Sequence, residues 1–370
     1  MSGAILTINA GSSSVKFGLF GDAGDGPAML RGEIETGDEG GAMGISLDNI
    51  LADVARRAPE LTLRAVGHRV VHGGADHIAP EAVTPALLRA LHTLAPLDPL
   101  HMPRNLAPIA ALAARHPALP QVACFDTAFH HTLPPVAQRF GLPRAMTEAG
   151  LRRYGFHGLS YEYIARQLAK VAPGLRRVVV AHLGSGASLC ALRDGRSIAT
   201  TTGFSALDGL LMATRCGSLD PGVILHLGRA GKTFAEIEAL LYHQCGLLGV
   251  SGISGDIRVL MASAAPEARE AIELFTYRIA LDVAGMATAL GGIDGLVFTA
   301  GIGEHAAPVR AAVCERLAWL GLGLDAEANA AGAPMVSNEA SRVAIHVIAT
   351  DEEAMVAQHT RAVIAWKDPP

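Results

Sequence analysis

Two arginines, an aspartate and a histidine stand at strand ends or beside glycines in this 370-residue chain. Arg69 lies in Gly67-His68-Arg69-Val70-Val71-His72-Gly73-Gly74, and Asp126 in Cys124-Phe125-Asp126-Thr127. His157 lies in Tyr154-Gly155-Phe156-His157-Gly158, and Arg215 in Thr214-Arg215-Cys216-Gly217-Ser218. Fixed cations of this kind suit phosphoryl transfer, whose loose transition state spreads negative charge over three equatorial oxygens. On a strand Arg69 and Val71 share a face, which suits an anionic head carrying a short apolar tail. Asp126 ends an apolar stretch, where a carboxylate can hold Mg2+ or orient a nucleophile; a helix N-cap is the equal alternative. His68 and His72 share the opposite face. No carboxylate joins them at metal-binding spacing, so packed or hydrogen-bonded histidines are expected.

Three turns rich in Gly and other small residues follow apolar stretches, at residues 9–14, 183–188 and 300–304. Small residues let backbone N–H groups approach a phosphate, and the third turn runs toward a helix N-terminus, another favourable place for an anion. None fits the P-loop pattern or the dinucleotide G-x-G-x-x-G. Any one of them reads as an ordinary tight turn; three in one chain favour a nucleotide. Beyond the first turn Ser14 and Lys16 point the same way. Asp351-Glu352-Glu353 precedes the last helical stretch, as favourable charge at a helix start or as a second Mg2+ carboxylate.

Periodicity supplies the elements that must carry these groups. Residues 4–8 and 15–20 form a hairpin. Residues 177–182 and 188–192 repeat it, with Asp194-Gly195 turning into 197–201, so that Gly11-Ser12 and Gly184-Ser185 are equivalent. Further strands are expected at 65–71, 121–125, 296–299 and 343–348. Helices are expected at 85–94, 105–115, 160–170 with Ser160 as N-cap, 267–290, 308–320 and 352–366. Strands alternating with helices define an α/β class, and the length suggests about two domains.

Composition excludes several other classes. Half the residues are hydrophobic, 18% are charged and the net charge is −5 without a dense basic block, so neither nucleic acid nor an acidic membrane is an expected partner. With 41 Gly and 20 Pro the chain falls well below the roughly 25–30% that marks low complexity. The longest uncharged run, residues 239–255, contains four glycines and falls short of the ~20 apolar residues of a membrane span. No leader pattern opens the chain. Five scattered cysteines without a C-x-x-C pair point to neither a disulfide framework nor a zinc site, and to a reducing cytoplasm.

Seven segments, taken together and in order, resemble the acetate kinases, a family of the sugar-kinase/actin-like superfamily. They are Ile8-Asn9-Ala10-Gly11-Ser12-Ser13-Ser14-Val15-Lys16, residues 67–74, Phe125-Asp126-Thr127-Ala128-Phe129-His130, Tyr154-Gly155-Phe156-His157-Gly158, His182-Leu183-Gly184, Thr214-Arg215-Cys216-Gly217-Ser218 and Phe298-Thr299-Ala300-Gly301-Ile302-Gly303-Glu304. The resemblance spans residues 5–360. It implies an α/β, two-domain, actin-like and ribonuclease H-like duplicated fold with nucleotide in the interdomain cleft. Residues 1–127 plus 354–370 would form the first domain and 128–353 the second, nucleotide-binding one. It further implies a cytoplasmic homodimer that reversibly transfers the γ-phosphoryl group of ATP to acetate in line, giving acetyl phosphate and ADP, with Mg2+ or Mn2+.

Carried over by position, Arg69 and Arg215 bind the carboxylate and the moving phosphoryl group, and His157 meets the equatorial oxygens. Asp126 and Glu352 organise the metal, with Asn9 as a further contact. Ser12, Ser14 and Lys16 form the first phosphate hairpin; His182, Gly184, Ser185 and Gly186 form the second phosphate loop. Asp256, Arg258, Gly301, Ile302 and Gly303 flank adenosine. Val71, Leu100 and Phe156 line the acyl pocket, with His101 near its end. An acceptor carboxylate is already ionised at neutral pH, so no base is required. The chain departs from the family pattern at Ser185, Ala206, Ala213, His305 and Asp351, and is shorter before Gly67. Ala206, in place of a usual Pro, leaves room for a longer acyl chain. Propionate or butyrate kinase is the nearest alternative; an actin- or chaperone-like ATPase module and a silent binding protein are more distant ones.

Overall fold

The computed structural model of the chain describes residues 3–11, 14–24, 26–35 and 42–364. Apolar runs, buried on both faces at Gly3–Ala10 and Gln121–Phe125, build its first sheet. Strands β1 (Gly3–Ala10) and β2 (Ser14–Gly21) pair antiparallel with Asn9 opposite Lys16, and the Gly11 N–H donates to the Ser14 carbonyl (2.8 Å) to close the turn. Ser12 lies outside the described residues. Strand β3 (Leu30–Glu35) continues the antiparallel edge. After α1 (Ala42–Arg57), β4 (Thr62–Val70) returns parallel to β1. The short β5 (Glu81–Ala82), α2 (Pro85–Thr93) and α3 (Met102–Arg115) lead to β6 (Gln121–Phe125), parallel to β4. The order is β3-β2-β1-β4-β6-β5. Leu6 and Ile8 of β1 and Phe17 and Leu19 of β2 pack on Leu47, Ile50 and Val54 of α1 and Leu112 of α3. Burying each such side chain stabilises the fold by about 1.5–3 kcal/mol.

The second sheet repeats this plan. Helices α4 (Pro135–Gln138), α5 (Arg144–Glu148) and α6 (Gly158–Val171) precede the meander β7 (Arg177–Leu183), β8 (Ala187–Arg193) and β9 (Arg196–Thr200). Asp194 and Gly195, at φ 50° and 77°, take the left-handed conformations that a two-residue hairpin turn requires. Then come α7 (Pro221–Arg229), α8 (Phe234–His243), α9 (Gly246–Ser251), α10 (Ile257–Ala262) and the 25-residue α11 (Pro266–Leu290). Phe275, Ile279 and Val283 of α11 join Leu189 and Ala191 of β8 in the core. Strand β10 (Gly295–Thr299) runs parallel to β7; α12 (Ala300–His305), α13 (Ala307–Arg316) and α14 (Ala326–Ala330) follow. Strand β11 (Ala344–Val347) lies parallel to β10, and α15 (Glu352–Val363) closes the described chain. The order β9-β8-β7-β10-β11 repeats β3-β2-β1-β4-β6, with two antiparallel pairings followed by two parallel ones. The duplication thus extends well beyond the hairpin visible in the sequence.

The chain divides into two compact units, residues 1–131, 158–163 and 351–370 in one and 132–157 and 164–350 in the other. The expected limits at 127/128 and 353/354 differ by a few residues and omit segment 158–163. That segment belongs to the first unit through packing. Leu159 joins Val122, Cys124, Met355 and Val356 in one cluster, the Tyr161 and His130 rings meet at 5.6 Å, and Glu162 contacts His359 (2.8 Å). The helix there starts at Gly158, two residues before the expected N-cap Ser160, which is buried. A Cβ at 158 would stand 1.9 Å from the Asp126 carbonyl oxygen, so only glycine allows this entry.

Two other limits also differ. Helix 308–320 breaks after Arg316 into a 3-10 turn (Ala318–Leu320), and the closing helix ends at Val363; Trp366 lies outside the described residues. All five cysteines are free thiols. Among the described residues no helix is long and apolar enough to cross a membrane.

Candidate functional site

In the first unit the parallel strands β1, β4 and β6 end at one edge, because Ile8 registers with His68 and Val70 with Phe125. Ligand-binding groups of open α/β sheets gather at such carboxyl ends. Asn9, Arg69 and Asp126 stand there, joined by Glu352 from the first turn of α15. Arg69 donates from Nε to Asp126 Oδ2 (2.9 Å) and from Nη1 to Asn9 Oδ1 (3.0 Å). Its Nε lies 3.8 Å from Glu352 Oε2, to which Asn9 Nδ2 donates (3.3 Å). Asp126 has no exposed surface, and the Arg69 side chain keeps 19%. Burial works against the guanidinium charge, but Asp126 and Glu352 outweigh it and hold Arg69 protonated far above its ordinary value. Asp126 therefore faces a cation from the end of β6.

Asn105, one turn into α3, connects this edge to the expected acyl pocket. It accepts the Val71 N–H (2.8 Å) and donates to the Ala10 carbonyl (2.8 Å). Val71 is buried, while Leu100 and His101 are partly exposed at the start of the same helix. Lys16 is exposed, and Ser14 donates to Glu33 across the sheet (2.5 Å).

In the second unit His182 lies at the end of β7, the turn to β8 holds Gly184, Ser185 and Gly186, and the Gly184 N–H donates to the Gly186 carbonyl (3.0 Å). His157 caps α6 at φ 59°. Its Nδ1 meets Ser188 Oγ at 2.7 Å, and its ring stacks on His182 with centroids 4.2 Å apart. A Cβ on Gly186 would lie 2.9 Å from Arg215 Nη2 and 3.1 Å from His157 Nε2. The absent side chain lets a guanidinium and an imidazole reach the backbone of the turn. Arg215 also donates from Nη1 to the Ala206 carbonyl (2.7 Å), tying this cation to a residue expected to wall the acyl pocket. Phe156 is buried, its N–H held by Thr202 Oγ1 (3.0 Å).

The residues expected around adenosine form two further groups. Asp256 caps α10 and pairs with Arg258 at the surface (Nε to Oδ1, 3.0 Å). Gly301, Ile302 and Gly303 lie in α12, entered through Ala300 at φ 63°. Sequence reasoning missed three side chains that hold these groups in place: Ser188, Asn105 and Arg310. Fully buried Arg310 donates from Nη1 to the carbonyls of Gly303 and Glu304 (both 2.9 Å) and from Nε to Asn329 Oδ1 (2.7 Å). Ser188, two residues past Gly186 on a strand, could have been suspected from its polarity; the other two carry no local signal.

Two sheets of one shared order, with cations gathered on strand ends and a glycine turn, define a phosphotransferase-type protein of the duplicated actin-like fold. The chain belongs to the acetokinase family, whose model matches residues 28–358. It is 52% identical to the acetate kinase of Rhodopseudomonas palustris, over 97% of this chain and 98% of that one. It is 48% identical to the acetate kinase of Methylocella silvestris, over 98% of each. Among solved structures, a propionate kinase from Francisella tularensis superposes with a TM-score of 0.91 at 35% identity, covering 98% of this chain and 100% of that one. The acetate kinase of Porphyromonas gingivalis gives 0.86 at 32% identity, with 98% and 100% covered.

Proposed function

We propose that this protein is an ATP:acetate phosphotransferase that reversibly moves the γ-phosphoryl group of ATP directly to acetate, giving acetyl phosphate and ADP. The observation that carries this reading is the convergence of His157 Nε2 and Arg215 Nη2 on the backbone of Gly186. Phosphoryl transfer needs donors fixed around the equatorial oxygens and little else from the protein. Arg215 and His157 supply them in the second unit; Arg69, locked by Asp126 and Asn9, supplies a further cation in the first. Acetate attacks as its own carboxylate, so catalysis rests on positioning and charge stabilisation. Val71, Leu100, His101 and Phe156 hold the acyl end. The turn 183–188, Ser14 and Lys16 hold the phosphates, and Asp256, Arg258 and Gly301 to Gly303 the nucleoside.

Asp126, Glu352 and the Asn9 amide oxygen are hard oxygen donors that fit Mg2+. Mg2+ keeps several waters and takes phosphate oxygens as further ligands, so it asks few side chains of the protein. Bound there, Mg2+ would neutralise charge on the phosphates. We further propose a cytoplasmic homodimer. Helix α7 has no buried residue, Leu225 is 58% exposed and Phe234, at the start of α8, 90%; a second copy of the chain would cover them.

Trapping acyl phosphate with hydroxylamine tests the reaction: hydroxamate should form only when ATP, Mg2+ and acetate are all present. ATP hydrolysis indifferent to acetate, without hydroxamate, would favour the ATPase module instead. Ala206 leaves space beside the acyl chain, and one methylene is worth about 1–3 kcal/mol. The kcat/KM for propionate should therefore fall within roughly 10–200-fold of that for acetate. A preference above about a thousandfold rejects the roomier pocket.

A further inference from the structure

Asp98, like Asp126, has no exposed surface. It follows the 3-10 turn Ala95–Leu97, and its backbone carbonyl accepts the Met102 N–H at the start of α3 (3.0 Å). Its carboxylate is committed to one neighbour. Oδ1 accepts the His101 backbone N–H (3.0 Å), and Oδ1 and Oδ2 lie 2.9 and 3.1 Å from His101 Nδ1. Burial pushes the Asp98 carboxyl up, but hydrogen bonds from the His101 ring and backbone help hold it below the ordinary carboxylate value. An ionised carboxylate only accepts, so His101 Nδ1 must carry a proton and Nε2 is the ring's remaining polar edge. One turn along the same helix, Asn105 fixes the Val71 N–H (2.8 Å). His101 and Asn105 are four residues apart and share a face of α3, and the His101 side chain keeps 19% exposure.

We propose that Asp98 is a positioning residue that locks the His101 imidazole, as the Nδ1–H tautomer, at the acyl end of the carboxylate pocket beside Val71. Carboxylates that accept the distal N–H of a working histidine fix its tautomer and ring angle in the same way. The proposal rests on the reading above that Val71 and His101 meet the acyl group. Asp98 touches no substrate; it acts through His101.

The test uses the full chain and the variants Asp98→Asn, His101→Gln and their double. In Asp98→Asn the KM for acetate should rise roughly tenfold, with the KM for ATP changed less than about twofold. In the His101→Gln background the Asp98 substitution should add less than about twofold, because the two residues act as one unit. Independently of turnover, nitrogen-15 NMR of the histidine-labelled wild type should find His101 Nδ1 protonated. Equal effects on both substrates, an undiminished Asp98 effect in the His101→Gln background, or an Nε2–H tautomer each overturn the proposal. Wild-type protein that turns over ATP yet phosphorylates no short carboxylate overturns the kinase reading, and this role with it. Normal acetate turnover with an indifferent Asp98→Asn variant overturns the positioning role alone.

Discussion

Arg69 makes three different contacts that a single ammonium could not reproduce, two to Asp126 and one to Asn9. Removing it has two separable consequences. Turnover should fall by roughly 10³–10⁵ in kcat, the scale of lost arginine fingers, and Arg215→Ala should show a loss of the same order. Arg69→Ala also withdraws a cation from a buried carboxylate, which costs about 3–5 kcal/mol of stability. Coupled-assay turnover and urea unfolding read the two effects separately; near-normal kcat in a folded variant of either arginine removes its catalytic role. Arg69 and Arg215 were recognisable in the sequence because glycines and β-prone residues flank them. Asn105 and Arg310 were not: Asn105 bonds the backbone of β1 and of Val71, and Arg310 the carbonyls at the end of α12 and the Asn329 side chain, and no residue pattern announces such bonds.

At the scale of elements, β4 is the middle of the first sheet and holds a histidine that must stay neutral. His68 is buried, bonded through Nε2 to Gln121 Oε1 at the start of β6 (2.8 Å). Its Nδ1 has no hydrogen-bond partner among the described residues. Burial lowers its pKa to about 4, against the partial opposition of Gln121. An unfolded chain takes up the proton near pH 6.5 while the folded one does not, so stability is full above about 6.5 and falls as pH drops toward about 4. Urea unfolding should therefore show about 2 kcal/mol less stability from this group at about pH 5 than at about pH 7.5. His68→Gln should lose that part of the slope, and an unchanged slope in the variant would show that the strand tolerates the charge. Periodicity located β4 within a few residues and put His68 opposite Arg69. The strand's burial on both faces came from α3 and α15, which no pattern within β4 encodes.

At the scale of the molecule, the two units repeat one strand order, yet they differ in what they leave uncovered. In the second unit Leu219, Val223, Ile224, Leu225 and Phe234 remain 37–90% exposed around α7, and exposed apolar patches of this kind mark association surfaces. Light scattering on the purified protein should give the mass of a dimer, and Leu225→Glu with Phe234→Glu should give that of a monomer with its circular dichroism unchanged. A monomeric wild type would leave α7 without the proposed occupant.

Local chemistry determined much about this protein. Apolar β-prone runs broken by small turn residues specified both hairpins, the strand-to-turn junctions and the order of the motifs, since strand and turn preferences depend on near neighbours alone. Only the tertiary structure decided which strand ends meet. Asn9 and Glu352 are 343 residues apart and share a hydrogen bond, because parallel strand register and the docking of α15, rather than any local pattern, bring their segments together. The same holds for Gly158, whose missing side chain lets it pack against the Asp126 carbonyl, a contact between residues that no short window contains.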